Sequence, residues 1–208
     1  MGRIFSNRKR RGETMMEKTG ETKRINETIA ETFSRIEASL PAAGDADAVL
    51  VHVLRELQEA FAIPFAWLSL ISRPETEAWR PALTQSPFLG ARLNQIDAAA
   101  FTELVGQGIA PVLANGDLKP FYRLLPQSNR YFIKSIAVAP LAPRGLTVGS
   151  LNFGDASPAR YHPELDTSLL GRLAAAVSRR LEGMLPIGAE EKAVPDNSGS
   201  DPDRHPAT

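Results

Sequence analysis

Residues 135–181 constrain the fold of this chain more than any other segment. Apolar side chains alternate over residues 136–140 and, after turn residues at 143–145, again over residues 146–153 around Gly149. This alternation predicts two antiparallel strands joined by a short turn. A loop follows, and apolar residues then recur at helical spacing: Leu165, Leu169, Leu170, Leu173, Ala176, Val177, Leu181 and Met184. The segment is therefore predicted to form two strands, a loop and a long amphipathic helix.

Apolar patterns nearer the N-terminus predict the rest of the core. Asp45 or Asp47 caps a helix that runs to Phe61, and Pro64 ends it. Residues 65–71 are apolar on both faces of an alternating run, which is typical of a central strand covered on both sides.

The region between this strand and residue 135 gives less regular signals. Residues 78–83 predict a proline-containing edge strand, and residues 85–94 predict a loop. Asp97 caps a short helix that glycine ends, and residues 111–114 predict a brief strand. Residues 118–131 are amphipathic without a clear period.

The pattern from residue 135 onward resembles the last two core strands and closing helix of a GAF domain. It is most similar to a GAF-like bacterial family of unknown function. The positions that carry the resemblance are Pro140, Leu141, Gly149, Phe153, Gly154, Tyr161, Pro163 and Leu173. The resemblance implies an α+β fold, with a central antiparallel β-sheet of five to six strands flanked by helices. It does not supply a reaction, because function belongs to a site that the fold carries.

The chain divides into four segments by composition and pattern. Residues 1–20 are predicted to be a disordered basic tail, residues 45–184 the GAF-like domain, and residues 185–208 a disordered acidic tail. Residues 21–40 predict an amphipathic helix whose apolar stripe is Ile25, Ile29, Phe33, Ile36 and Leu40. Two interpretations of this stripe remain open: it forms a dimer interface, or it packs on its own domain.

Composition excludes several classes of chemistry. The chain has no cysteine, which removes disulfides, thiolate nucleophiles and thioether-linked chromophores. In the resembled family, covalent bilin attachment and methionine sulfoxide reduction depend on cysteine, so the resemblance implies neither activity here. His52, His162 and His205 lack partners at metal-ligand spacing, and no phosphate-binding glycine motif occurs. We therefore predict no metal site and no cofactor.

The resemblance implies a ligand pocket between the sheet and the middle of the chain. The residues that map onto this pocket are Phe101, Leu113, Asn115, Tyr122, Arg123, Tyr131, Ser135 and Asn152. Asn152 falls near an asparagine that cyclic-nucleotide-binding GAF domains use, but Phe153 stands where their lysine should follow. The resemblance therefore does not extend to binding of cyclic GMP.

These observations favour a non-enzymatic sensor module that dimerises through its terminal helices and binds an unidentified small molecule. One alternative is an interaction module whose basic N-terminal arm contacts nucleic acid, since residues 1–24 hold eight basic and three acidic residues. A second alternative is a small-molecule enzyme that uses Tyr131 or His162. No apolar run approaches the roughly 20 residues that span a bilayer, so we expect a soluble, cytoplasmic protein.

Overall fold

The computed structural model of this 208-residue chain describes residues 3–40 and 44–185. The helices are α1 (Arg3–Ala38), α2 (Ala46–Ala60), α3 (Pro74–Glu77), α4 (Arg80–Gln85), α5 (Ala98–Val105) and α6 (Ser168–Leu181). The strands are β1 (Phe65–Ile71), β2 (Leu93–Ile96), β3 (Val112–Asn115), β4 (Ser135–Leu141) and β5 (Gly149–Asp155). Short 3-10 turns lie at Gly90–Arg92, Lys119–Phe121, Pro143–Gly145 and Glu182–Met184.

The described strands form one five-stranded sheet in the order β2-β1-β5-β4-β3. The pairs β1/β5, β5/β4 and β4/β3 are antiparallel, as the sequence predicts. The pair β1/β2 is parallel, with Leu68 opposite Leu93 and Ile71 opposite Ile96, so the prediction of a wholly antiparallel sheet is wrong at this edge. The cause is the long connection over residues 72–92, which carries α3 and α4 and returns the chain to the middle of β1, where Leu93 lies opposite Leu68. The predicted α+β fold, a sheet flanked by helices, is confirmed.

The two faces of the sheet bury separate cores. On one face, Leu68 and Leu70 of β1 pack in a cluster that includes residues of α1, α2 and α6. On the other face, Trp67 and Ile71 pack with α5 and with residues 118–133. Six of the seven β1 residues are buried, so the predicted central strand is confirmed. The molecule therefore has two separate hydrophobic cores, one on each face of the sheet.

Two elements between β1 and α5 differ from the sequence prediction. The segment predicted as an edge strand at residues 78–83 contains most of helix α4, and the predicted loop at residues 85–94 contains the start of β2. Proline lies in the first turn of both α3 and α4, where its missing N–H costs no hydrogen bond. Trp79 and Leu83, four residues apart, are both buried and place one face of this region in the core. By contrast, Asp97 caps α5 as predicted, because its Oδ1 accepts a hydrogen bond from the Ala100 amide at 2.8 Å.

Helix α1 begins at Arg3, although the sequence predicts a disordered tail over residues 1–20 and a helix only from residue 21. Residues 3–38 contain no proline, and once the C-terminal part is packed each further residue extends the helix at little cost. The acidic tail predicted over residues 185–208 lies outside the described residues, except for Leu185, which is buried. None of the helices within residues 3–40 and 44–185 is long and apolar enough to cross a membrane.

The predicted apolar stripe of α1 divides in two. Ile36 is fully buried in the domain core, and the Phe33 and Phe61 rings pack with centroids 5.2 Å apart. Ion pairs from Arg35 to Glu56 of α2 (3.2 Å) and from Arg172 of α6 to Glu37 (3.3 Å) hold the same part of the helix. Ile25, in contrast, is 52% exposed. The C-terminal part of the stripe therefore packs on its own domain, and the part around Ile25 does not.

The pairing of β1 with β5 requires glycine at position 149. A Cβ atom there would overlap the carbonyl oxygen of Ser69 and approach the Leu70 Cα to 3.2 Å, and both atoms belong to the backbone of β1. We expect Gly149→Ala to lower the free energy of unfolding by about 1–3 kcal/mol or more, as overpacking of a close contact does. Urea denaturation measures this effect. Gly183→Ala is the control, because a Cβ at Gly183 has no atom within 4 Å and should change stability little. Equal effects of the two substitutions would contradict this account.

Candidate functional site

Four polar side chains lie on the sheet face that residues 118–133 cover. We call Ser69, Asn94, Ser150 and Asn152 the polar cluster. Ser69, Ser150 and Asn152 are fully buried. The Asn152 Nδ2 donates to the Ser69 Oγ (3.0 Å) and to the Ser150 carbonyl (3.1 Å), and the Ser150 Oγ donates to the Asn152 Oδ1 (2.9 Å). Because burying a polar group costs free energy unless it is hydrogen-bonded, this network is needed for the cluster to exist inside the core.

Residues 118–133, here called the middle segment, lie over the polar cluster. Leu118, Leu124, Leu125 and Ile133 are buried and fill the space above the sheet. The segment contains one 3-10 turn and otherwise only turns and bends between β3 and β4. Its position therefore depends on apolar contacts and on bonds from side chains of the sheet.

Side-chain donors from the sheet bind two successive carbonyl groups of the middle segment. The Trp67 Nε1 donates to the Leu124 carbonyl at 2.7 Å. The Asn94 Nδ2 donates to the Arg123 carbonyl at 2.9 Å and lies 3.4 Å from the Ser69 Oγ. The polar cluster is thus connected directly to the main chain of the segment that covers it. Movement of the segment would leave these two donors free for another acceptor.

Two cavities flank residues 123–126 of the middle segment. The larger, about 400 Å³, is lined by Asn94, Gln95, Ile96, Asp97, Tyr122, Arg123, Leu125, Gln127 and Arg130. The smaller, about 240 Å³, is lined by Gln58, Pro64, Phe65, Ala66, Trp67, Ala91, Arg92, Pro126 and Asn129. Asn94 of the polar cluster thus lines the larger cavity, and Trp67, which donates to the Leu124 carbonyl, lines the smaller one.

An unsatisfied donor belongs to Arg130, which lines the larger cavity. The Arg130 Nε is buried and has no hydrogen-bond partner among the described residues. The guanidinium of Arg130 lies over the Tyr122 ring, with its Cζ 5.4 Å from the ring centroid. Arg123, at the rim, is exposed and forms a 3.9 Å ion pair with Glu103. The cavity can therefore supply a hydrogen bond, and positive charge, to a molecule that carries an acceptor oxygen.

Five of the eight residues that the sequence predicted for the pocket lie on the covered side of the sheet. Tyr122 and Arg123 line the larger cavity, and Asn152 belongs to the polar cluster beneath it. Phe101 is buried in the core around them. Tyr131 is 72% exposed and contacts only the edge of the site, where its ring meets the Tyr122 ring at 6.5 Å.

The other three predicted residues do not join this group. Leu113 lies opposite Ala137 in the β3/β4 register and packs with the core on the other face of the sheet. The Ser135 Oγ donates to the Ser157 carbonyl (2.7 Å), and the Asn115 Nδ2 donates to the Pro158 carbonyl (2.9 Å). These two side chains therefore hold the loop between β5 and α6. The candidate site also contains residues that the sequence analysis did not predict: Trp67, Ser69, Asn94, Ser150 and Arg130.

The residues considered for catalysis lie apart. Tyr131 is exposed, and the His162 Nδ1 lies 3.9 Å from the Glu164 carboxylate beyond the end of β5. His52 in α2 lies 2.9 Å from the Ser39 hydroxyl. Among residues 3–40 and 44–185, no group of His, Asp or Glu is arranged to hold a metal ion.

Sequence comparison identifies one family. The family described as "Protein of unknown function, DUF484" matches residues 3–185. No curated protein matches the sequence significantly.

Solved structures with a similar fold include a GAF domain. The free methionine-R-sulfoxide reductase of Neisseria meningitidis, solved with its substrate, is 22% identical over 74% of this chain and 88% of its own, with a TM-score of 0.51. The GAF domain of an Acinetobacter phosphoenolpyruvate-protein phosphotransferase is 17% identical over 76% and 96%, with a TM-score of 0.50. A far-red absorbing protein with bound biliverdin is 14% identical over 74% and 98%, with a TM-score of 0.51. At such identities the similarity shows the fold, and the predicted GAF-like fold is confirmed.

The bond from Trp67 to Leu124 predicts how the middle segment is held. We expect Trp67→Phe to speed amide exchange at Phe121, Leu124 and Ile133 by about fivefold or more, because a hydrogen bond to a buried carbonyl contributes about 1 kcal/mol. Hydrogen exchange followed by NMR measures this rate.

Trp79→Phe is the matched control for this measurement. It also removes an indole donor to a backbone carbonyl, that of Met184 at 2.9 Å, but on the other face of the sheet. It should leave exchange in the middle segment unchanged. The two variants accelerating exchange equally would contradict a specific role for Trp67.

Proposed function

The chain belongs to the DUF484 family of proteins of unknown function, and we propose that it is a GAF-type sensor module that binds a small polar molecule between its sheet and its middle segment. The observation that supports this function best is the polar cluster, together with the Trp67 and Asn94 donors that bind two carbonyl groups of the middle segment. The proposal includes a homodimer formed through the terminal helices.

The polar cluster is costly for a core that only has to be stable. Apolar side chains in place of Ser69, Ser150 and Asn152 would fill the same space without any need for a hydrogen-bond network. In this structure the Leu124 and Arg123 carbonyls accept hydrogen bonds from the Trp67 and Asn94 donors. A ligand with its own carbonyl or carboxylate oxygen would replace those acceptors when the segment moves outward. The exchange of one acceptor for another keeps both donors satisfied.

The chemistry of the larger cavity narrows the ligand class. At about 400 Å³ it lies in the lower part of the range for small-molecule sites, which runs from about 300 to 1,000 Å³. The free Nε of Arg130 favours an acceptor, and a carboxylate would satisfy it best. A small carboxylic acid or carbonyl compound with polar substituents therefore fits the site.

Binding rather than catalysis is the proposed activity. The reductase among the similar structures acts on methionine sulfoxide, whereas this chain has no cysteine to supply thiol chemistry. In the larger cavity, the one carboxylate in its lining belongs to Asp97, and this group accepts the hydrogen bond that caps α5. A nucleophile paired with a base is missing from this lining.

Helix α1 supports the dimer in this proposal. The helix has 36 residues, about 54 Å at 1.5 Å per residue, and Phe33 and Ile36, which pack on the domain, lie near its C-terminal end. Residues 20–28 are all exposed, including the apolar Ile25. Helices gain most of their stability from packing of an apolar face, and the same helix of a second copy would provide that contact. A ligand-linked change would reach this interface through the contact of α1 with α6.

A ligand screen tests the binding proposal. Protein purified under native conditions is examined by native mass spectrometry and then by thermal denaturation with a panel of amino acids, small carboxylic acids and nucleosides. We expect at least one compound to raise Tm in a saturable manner. Arg130→Met should remove this shift and lower the Tm of the free protein only slightly, since its Nε has no described partner to lose and methionine can still pack against the Tyr122 ring that the guanidinium covers.

The control for the screen is Lys119→Met, which removes an exposed positive charge from the same segment outside the cavity lining. It should keep the full response to the compound. Absence of any bound mass and of any Tm shift across the panel would contradict the binding proposal.

The dimer proposal predicts a response to one exposed side chain. Ile25→Asp should convert a dimer at micromolar concentration into a monomer, because it places a charge in the proposed apolar contact. Sedimentation equilibrium measures the mass, and circular dichroism checks that the fold is unchanged. Ile109→Asp is the control, since Ile109 is 64% exposed in the loop before β3 and should leave the dimer intact. A monomeric parent protein under these conditions would overturn the proposal.

A further inference from the structure

A third cavity, of about 310 Å³, lies on the opposite face of the sheet from the polar cluster. Its walls come from α1, α2, β3, β5 and α6 and from the loop that precedes α6. Most of the lining is apolar: Ile29, Phe33, Leu57, Leu113, Phe153 and Leu170. Helices and sheet both contribute to its walls, and the exposed lining residues Leu165 and Asp166 leave one side open to solvent.

One end of this cavity is polar and contains a buried hydroxyl. Tyr161 lines the cavity, its Oη is buried, and its hydroxyl hydrogen has no acceptor among the described residues. Burial raises the pKa of Tyr161 to about 12, although the charge of the Arg160 guanidinium and a hydrogen bond from it oppose the rise. The phenol is neutral at physiological pH, so its hydrogen is available to an acceptor. A phenylalanine would pack equally well without an unsatisfied hydroxyl, so the oxygen needs an explanation other than packing.

The charged side chains at the polar end of the cavity are an arginine that is already paired with a carboxylate and an aspartate. The Arg160 Nη1 forms an ion pair with Asp155 (3.1 Å), and the same guanidinium donates to the Phe61 and Ala62 carbonyls. Asp166 also lines the cavity at its solvent-exposed side, and hydrogen bonds from Ser168 lower the pKa of its carboxyl. Among the described lining residues the one cation, Arg160, is already paired with Asp155, so a negatively charged ligand would meet the Asp166 carboxylate without a free cation to compensate it. The polar end therefore favours an uncharged acceptor.

We propose that this cavity binds a small uncharged molecule that has an apolar alkyl or aryl body and one acceptor oxygen, such as a ketone, ester or amide. The body lies against the apolar walls, and the oxygen accepts a hydrogen bond from the Tyr161 hydroxyl. This site is separate from the proposed site under the middle segment and does not depend on it. Because Ile29 and Phe33 of α1 form part of its wall, an occupant adds contacts that hold α1 to the domain.

Three aromatic probes of similar size test this assignment on the full chain. Acetophenone has a neutral acceptor, ethylbenzene has none, and benzoate is charged. Binding is followed by NMR titration of the methyl signals of Leu113 and Leu170, which line this cavity and not the other two. We expect acetophenone to bind at least threefold more tightly than ethylbenzene, and benzoate to bind most weakly.

Tyr161→Phe removes only the hydroxyl and leaves the packing of the ring in place. It should reduce the affinity for acetophenone to that for ethylbenzene and leave the affinity for ethylbenzene unchanged. Tyr131→Phe is the matched control, because Tyr131 is exposed and distant from this lining. It should not alter the binding of any probe.

Four outcomes would overturn the proposal. The first is equal affinity for acetophenone and ethylbenzene in the parent protein, and the second is tightest binding by benzoate. The third is an absence of methyl shifts up to the solubility limit of the probes. The fourth is a set of shifts that follows protein concentration rather than probe concentration, which would assign the cavity to a second copy of the chain. None of these results bears on the ligand screen for the middle-segment site.

Discussion

The antiparallel pairing of β1 with β5 is the constraint on which the rest of the structure depends. The two strands are neighbours in the interior of the sheet, between β2 and β4, and both are buried on both faces. Gly149 allows the backbones to approach, because any side chain there would enter the β1 main chain. Once this pair forms, the alternation of side chains sends Leu68 and Phe153 to the helical core and Trp67 and Asn152 to the other. The positions of both interiors follow from this one register.

The parts of the fold that could be predicted from the sequence are those with a strong local period. Residues 65–71 form β1 as predicted, and the capping carboxylate of Asp97 identified the start of α5. Strand β2 was missed because it has four residues, two of them the polar Asn94 and Gln95, and lies at a sheet edge. Its parallel pairing depends on where a long connection returns the chain, and local patterns do not contain that information.

The candidate site was less predictable than the fold because it is assembled from distant positions. Asn152 was identified from a resemblance, but its partners Ser69 and Asn94 come from other strands, and their burial is a tertiary property. The same resemblance assigned Leu113 and Ser135 to this pocket. The β3/β4 register directs them to the opposite face, and only strand pairing reveals that direction. In helix α1, similarly, the period predicted the stripe correctly but not that Phe33 and Ile36 would be used within the domain while Ile25 stays exposed.

Asn152 and Phe153 are adjacent residues of β5 that serve different interiors: Asn152 hydrogen-bonds within the polar cluster, and Phe153 lines the apolar cavity. A molecule bound on either side would therefore contact the same strand. If an occupant of one site displaces β5, the affinity of the other site changes without contact between the two molecules. Thermodynamic linkage requires this coupling to be mutual, with the same factor in both directions. With one proposed site on each face of a single sheet, the state of the protein would depend on the concentrations of two ligands rather than one.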